Sequence, residues 1–241
     1  MKINYFKYLL YSIVILLIIL IIYFFYDFYC RTLIYKNYLK DCNTTSFCGI
    51  KVIDLHLPHE YRYKLLDLAK NKGMRIEMYK KKQKNISYNE VSKAIYGIES
   101  WYNSISYTIS SIIGEKVSPL NKEFKNRLSL IVYEKEGDYI DWHFDTNHFE
   151  GRYFTLLVPV TFEKTCGNYV FKNKDEQDVT LELQENQAIL FEGDKVYHAG
   201  KKLCNNQFRA ILSLTFITND KMNTWNYLMN SIKQFGIFGN K

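Results

Sequence analysis

The chain has 241 residues and lacks most of the short signatures that settle a protein's class at once. Its five cysteines form no CxxC pair and no zinc-type spacing, so thioredoxin-like and zinc-ribbon chemistry are excluded. No internal repeat recurs, and no low-complexity tract stands out apart from one apolar run near the N-terminus. Histidine is scarce, at five residues. The pair nearest in sequence, His56 and His59, fails as a helical H-E-x-x-H zinc site because Leu57 stands where the glutamate is needed. Pro58 instead reads as a helix start with Glu60 in the first turn, which gives both histidines a surface or capping role. Acidic residues are outnumbered, 25 against 32 Lys and Arg, for a net charge of +7. The run Lys80-Lys81-Lys82-Gln83-Lys84 reads first as a solvated loop. Its sharper reading is a contact for an acidic substrate or for anionic lipid head groups.

Against these absences, one long hydrophobic run is present. Nineteen residues, Tyr8 to Tyr26, carry no charge. As a helix they would span about 28 Å, close to the hydrocarbon thickness of a bilayer. No small-residue cleavage site follows, so a retained anchor is expected rather than a signal peptide. Tyr and Phe at its ends suit the interfacial aromatic belt. Lys2 and Lys7 before the span and Arg31, Lys36 and Lys40 after it leave the orientation undecided by charge. The sequons at Asn43 and Asn85, together with a small loop that Cys42 and Cys48 could close, lean toward a lumenal catalytic domain in an endoplasmic-reticulum-like compartment. The expected organisation is an anchor over 1–30, a juxtamembrane linker over 31–50, and one domain over 51–241 with its core at about 127–217.

The chemistry concentrates in that core. His143-Phe144-Asp145 follows one strand-like run, Arg127–Tyr133, and precedes another, Arg152–Val160. Residues i and i+2 of a strand share a face, so His143 and Asp145 are expected to point into one cavity while Phe144 points away. Farther on come a short apolar strand, Gln187–Phe191, a turn at Glu192-Gly193-Asp194, and His198. A polar loop then leads into Phe208–Ile217, whose return beside the strand of His198 would turn Arg209 to the same interior. Two imidazoles and one carboxylate on one face make the facial triad that holds non-haem Fe(II) with open coordination positions. An arginine fork there suits a carboxylate. Taken singly, each residue has a plainer use: a core histidine, a turn aspartate, or an Arg209 paired with Asp194. His148, five residues past His143, is expected on a loop near the metal.

Residues of about 127–217 resemble the Fe(II)/2-oxoglutarate-dependent dioxygenases, in particular the prolyl 4-hydroxylase-like branch. The matching segments are YEKEGDYIDWHFD, GRYFTLLVPVTF, CGNYVFKN, QAILFEGDKVYHAG and RAILSLTF. The resemblance implies a mainly-β fold with flanking helices, a double-stranded β-helix or jelly roll. It implies iron on His143, Asp145 and His198, 2-oxoglutarate on Arg209, supporting hydrogen-bond groups at Tyr133 and Thr155, and ascorbate as reductant. The implied activity is hydroxylation of a substrate C–H bond in a protein or peptide, with peptidyl proline leading, and succinate and CO2 as co-products. A membrane-tethered jelly-roll binding protein without turnover is the alternative of another class, and a nucleic-acid demethylase is a further one that the anchor disfavours. In two respects the chain departs from the branch: the stretch from Tyr133 to His143 is one residue longer than the commoner pattern, and collagen-type members carry lysine where Arg209 stands.

Helical support is expected ahead of the core. Pro58 to Lys72 ends near Gly73, and an amphipathic run through Ile95, Ile98, Trp101, Ile105, Ile109 and Ile112 closes at Gly114 and should pack outside the sheet. A last helix or ordered tail is expected over 223–238.

Overall fold

A computed structural model describes residues 5–40, 49–162, 166, 168–173, 175–228 and 230–231. The core is one curled, wholly antiparallel sheet of 12 strands with helices on its outside. Helix α1 (Tyr5–Lys40) precedes β1 (Ile50–Asp54), α2 (His59–Asn71), β2 (Met74–Met78), β3 (Lys81–Ile86), α3 (Tyr88–Ala94), α4 (Ile98–Ile113) and β4 (Ser118–Pro119). Then follow β5 (Leu128–Tyr133), β6 (Tyr139–His143), β7 (Tyr153–Pro159), β8 (Tyr169–Lys172), β9 (Asp178–Leu181), β10 (Gln187–Glu192), β11 (His198–Gly200) and β12 (Arg209–Ile217). The strand order is β1-β10-β7-β12-β5-β3-β6-β11-β8-β9, with β2 on β3 and β4 on β12. β10 and β8 stand far apart in that order, yet the rings of Phe191 and Tyr169 meet at 5.6 Å. The sheet therefore closes on itself in the manner of a jelly roll.

Alternation along the strands decides what lies inside. On β12, Ala210, Leu212, Leu214 and Phe216 are buried against the helices, whereas Arg209, Ile211, Ser213 and Thr215 line an inner cavity. β5 behaves alike: Leu128, Leu130 and Val132 face the helices, and Ser129, Ile131 and Tyr133 face the cavity. The outward set packs on α2 through Leu65 and Leu68 and on α4 through Tyr102, Ile105, Ile109 and Ile113. The largest hydrophobic cluster thus lies between sheet and helices, while the cavity mixes apolar side chains such as Ile131, Leu157 and Phe191 with polar ones.

Several expectations are revised. The helix expected from Ile95 is broken: α3 ends at Ala94, Gly97 takes φ +87°, and α4 begins at Ile98. The lysine run is no solvated loop but half of the β2–β3 hairpin, whose alternation splits it. Lys81 faces the cavity, Lys84 is buried against Glu134 at 2.5 Å, and Lys80 and Lys82 are exposed. β12 does not return beside β11; it pairs with β5 and β7. A bridge unforeseen from spacing joins Cys166 to Cys204, with Cα atoms 5.9 Å apart. The expected Cys42–Cys48 loop and the Asn43 sequon lie outside the described residues. Asn85 lines the cavity and accepts a hydrogen bond from Gln83 Nε2 at 2.7 Å, so it is not displayed as a glycan acceptor. In the C-terminal part, helix covers 224–228, and 232–241 lie outside the described residues.

Within α1, 36 residues long, the described side chains from Leu9 to Ile22 are exposed. Counted over described residues alone, no helix is long and apolar enough to cross a membrane. The transmembrane anchor expected over 1–30 is therefore not shown among the described residues.

Candidate metal centre

The two ends of the sequence motif reach the same point by different routes. His143 closes β6 and His198 opens β11, and the two are direct partners across these antiparallel strands. Their rings lie 4.2 Å apart. Between His143 and Ile140, β6 carries one residue more than β11 does between His198 and Gly200. This bulge keeps both His143 and Ile140 on the cavity side. Asp145 is not on the strand with His143, as i and i+2 spacing suggests, but two residues beyond its end; its N–H donates to the Gly193 carbonyl at 2.9 Å.

The donor set is oriented by the chain itself. His143 Nδ1 lies 2.7 Å from the Asp141 carbonyl, and His198 Nδ1 lies 2.8 Å from the Val196 carbonyl. A carbonyl can only accept, so each Nδ1 holds the proton and each Nε2 is left with a lone pair. Those Nε2 atoms point to Asp145 Oδ1, at 3.6 Å and 3.8 Å. One ligand atom from each residue falls within 4.8 Å of the others. Burial on its own would raise the Asp145 carboxyl, but its surroundings, the Thr155 hydrogen bond among them, hold it well below the usual range. Burial and the neighbouring His143 push His198 down to about 4, so it is neutral and fit to ligate at physiological pH. Thr155 Oγ1 donates to Asp145 Oδ2 at 2.6 Å, which fixes the carboxylate's other oxygen. Two imidazoles and a carboxylate on one side, with cavity on the other, fit a divalent iron with open positions.

Gly193 was foreseen only as a turn residue. A Cβ there would lie 2.3 Å from Asp145 Oδ2 and 2.8 Å from Thr155 Oγ1. The turn is therefore glycine because the carboxylate occupies the space of a side chain. Gly200 plays the same part for Arg209, whose Nη2 would be 3.0 Å from its Cβ.

Arg209 lines the cavity and is 8 % exposed. Among the described residues its Nε and Nη2 have no hydrogen-bond partner, and burial lowers its pKa. The ring of Tyr133, its cross-strand partner, stacks beneath the guanidinium at 3.9 Å. Asp194 is not its ion-pair partner; the Asp194 carboxylate accepts the Asn147 amide at 3.1 Å. A desolvated guanidinium with unused donors marks an anion site, and its fork favours a carboxylate. Tyr133 and Thr155 thus both sit in the cavity, one under the arginine and one on the aspartate. Sequence reasoning missed Lys81, which also lines the cavity and whose pKa burial lowers. His148 lies on the loop after Asp145, outside the cluster. His56 and His59 are exposed and stack edge to face at 5.6 Å, away from the site.

Known proteins give a consistent answer through structure alone. No family model matches the sequence, and no curated protein matches it. A Pseudomonas putida prolyl-4-hydroxylase superposes with TM-score 0.55 at 11% identity, covering 78% of this chain and 100% of its own. A Trichoplax adhaerens prolyl hydroxylase, solved with a hypoxia inducible factor peptide fragment, gives 0.52 at 14%, with coverages of 81% and 93%. HygX from Streptomyces hygroscopicus, solved with nickel and 2-oxoglutarate, gives 0.52 at 8%, with coverages of 75% and 86%. The chain carries the fold of the prolyl hydroxylases and other 2OG-Fe(II) oxygenases, together with a His-Asp-His cluster that fits this superfamily.

Proposed function

We propose that the protein is an Fe(II)- and 2-oxoglutarate-dependent oxygenase that hydroxylates a C–H bond of a protein or peptide substrate, with peptidyl proline as the leading acceptor. The observation that carries this reading is the pairing, in one cavity, of the His143, Asp145 and His198 donors with a buried Arg209 whose Nε and Nη2 are unpartnered. His143, Asp145 and His198 would hold the iron, and Arg209, seated on Tyr133 and beside Gly200, would take the distal carboxylate of 2-oxoglutarate. Bound there, iron supplies the activation of dioxygen that is coupled to decarboxylation of the co-substrate. The chain's own part is to fix both imidazole tautomers, keep Asp145 ionised and orient its second oxygen through Thr155. Ascorbate as reductant is carried over from the resemblance. The test is succinate release from 2-oxoglutarate with a panel of prolyl peptides and other acceptors. Release stimulated by a prolyl peptide supports the reading, and no release with any acceptor counts against it.

We further propose that α1 anchors the domain to a membrane, with the catalytic part lumenal. The exposed Leu and Ile side chains of α1 and the uncharged stretch Tyr8–Tyr26 support the anchor. The Cys166–Cys204 bridge supports an oxidising compartment. The full chain should stay in the membrane pellet after carbonate extraction and resist protease until vesicles are opened. Digestion in sealed vesicles from the cytosolic side would reverse the orientation.

A further inference from the structure

A groove of about 380 Å³ crosses the outer face of β6, β11 and β8, on the other side of the strands that carry His143 and His198. Tyr139, Trp142, Val170, Ala199, Lys201 and Lys202 line it, with Asp141 as its one acidic lining residue. The sheet register brings a second set of lysines to its edge. Lys82 pairs with Tyr139 and Lys81 with Ile140, and Ile140 pairs on its other side with Gly200, the residue before Lys201. Lys80, Lys82, Lys201 and Lys202 are exposed, and none of them has an ion-pair partner among the described residues. On the acidic side, Asp141 Oδ1 already accepts the Trp142 N–H at 2.9 Å. Glu136 lies on the adjoining turn, tied in where Gly137 N–H meets the Leu203 carbonyl at 2.8 Å. The local balance is therefore cationic.

We propose that this groove docks an acidic stretch of the polypeptide substrate, with Lys201 and Lys202 as its main contacts and Lys80 and Lys82 at its rim. This rests on the oxygenase reading and adds to it the charge of the substrate. The aromatic side chains argue for a polypeptide over a nucleic acid. Trp142 is stacked on Tyr197 at 5.4 Å with the Lys172 ammonium 5.1 Å from its ring, and Lys202 lies 5.8 Å over Tyr139. Those contacts take up the rings that a base would need for stacking. Lysine ammoniums are point charges suited to carboxylates. From Tyr139 to His143 the strand advances four residues, about 13 Å at roughly 3.3 Å each, and Trp142 brings the groove to within one residue of the strand end that carries His143.

The test uses the full chain in phosphatidylcholine nanodiscs, without free detergent, and fluorescence anisotropy of a labelled 12-residue Glu-rich peptide or its Gln counterpart, with a single-stranded RNA 12-mer and phosphatidylserine vesicles as competitors. The Glu peptide should bind about tenfold more tightly than the Gln peptide and weaken with salt. The double variant K201Q/K202Q should weaken it about fivefold or more, on the scale of two exposed ion pairs. Calorimetric binding of 2-oxoglutarate to the anaerobic Fe(II) protein should be the same in this variant as in the parent. Equal binding of the Gln peptide, no effect of K201Q/K202Q, or stronger competition by RNA or vesicles than by unlabelled Glu peptide overturns the proposal. If 2-oxoglutarate fails to bind while the Glu peptide still docks as described, the oxygenase reading falls and the groove stands.

Discussion

At the scale of single residues, the site depends on groups that make no contact with a ligand. Gly193→Ala would drive a methyl into Asp145 Oδ2, so the variant should lose Fe(II) affinity while melting near the parent temperature, as read by iron content after gel filtration. Unchanged iron content would mean the turn can move aside and the carboxylate is less fixed than its contacts imply. Arg209→Ala removes a charge-assisted pair worth roughly 1.5 to 3 kcal/mol, so half-saturation by 2-oxoglutarate should rise by about ten- to a hundredfold. Arg209→Lys should recover part of this, because charge stays while the fork is lost. Equal half-saturation in all three would place the anion elsewhere. The triad was legible because its spacing and strand context are sequence properties, whereas Arg209 reaches the cavity through β5 and β7 and not through the expected pairing with the strand of His198. The reasons for Gly193 and Gly200 were not, since each answers to a side chain from a different strand or loop.

At the scale of elements, the β2–β3 hairpin is clamped to the turn between β5 and β6. Arg75 donates to both oxygens of Asp138, at 2.6 and 2.5 Å, and the Glu134 and Lys135 N–H groups donate to the same carboxylate at 2.9 and 3.1 Å. Burial would raise Asp138, but Arg75 and those two amides hold it below its ordinary value. Asp138 is 1 % exposed, so Asp138→Ala leaves Arg75 without its main partner and should cost about 3 kcal/mol in urea unfolding. A loss under about 0.5 kcal/mol would show that the hairpin is held by other contacts. The strands themselves were readable from alternation, because one face packs on helices and the other lines the cavity. Their pairing was not: β12 joins β5 and β7 rather than β11, and β1 joins β10 across 133 residues from Asp54 to Gln187, contacts that no local pattern encodes. The Cys166–Cys204 bridge, 38 residues apart, escaped for the same reason.

At the scale of the whole molecule, stability should respond to pH through buried carboxyls of opposite sense. Burial, with the nearby Glu192 charge adding to it and the Asn147 hydrogen bond opposing it, pushes Asp194 up to about 6. A raised carboxyl binds its proton more firmly when folded. Its contribution is full below the unfolded value of about 3.9 and is lost as pH rises through 6. Asp138, depressed, acts oppositely and withdraws its contribution only as pH falls below the ordinary carboxylate range. Asp194→Asn should therefore melt higher than the parent at pH 7.5 and lose that advantage near pH 4. A constant difference across that range would remove Asp194 from the account. The mainly-β class with flanking helices was legible at this scale through the family resemblance of residues 127–217, which implied a jelly roll before any strand pairing was known. The uncharged run Tyr8–Tyr26 is a sequence property, but the anchor it suggests stays a proposal for which carbonate extraction is the check.

The metal centre and the arginine are joined most directly by titrating the anaerobic Fe(II)-loaded chain with 2-oxoglutarate. The readout is the visible charge-transfer absorption that arises when a keto acid chelates iron. One equivalent of 2-oxoglutarate per chain should develop the band in the parent. His198→Ala should give none, and Arg209→Ala should reach the same band only at much higher 2-oxoglutarate. No band in the parent, or an undiminished band in His198→Ala, would contradict the site built from His143, Asp145, His198 and Arg209.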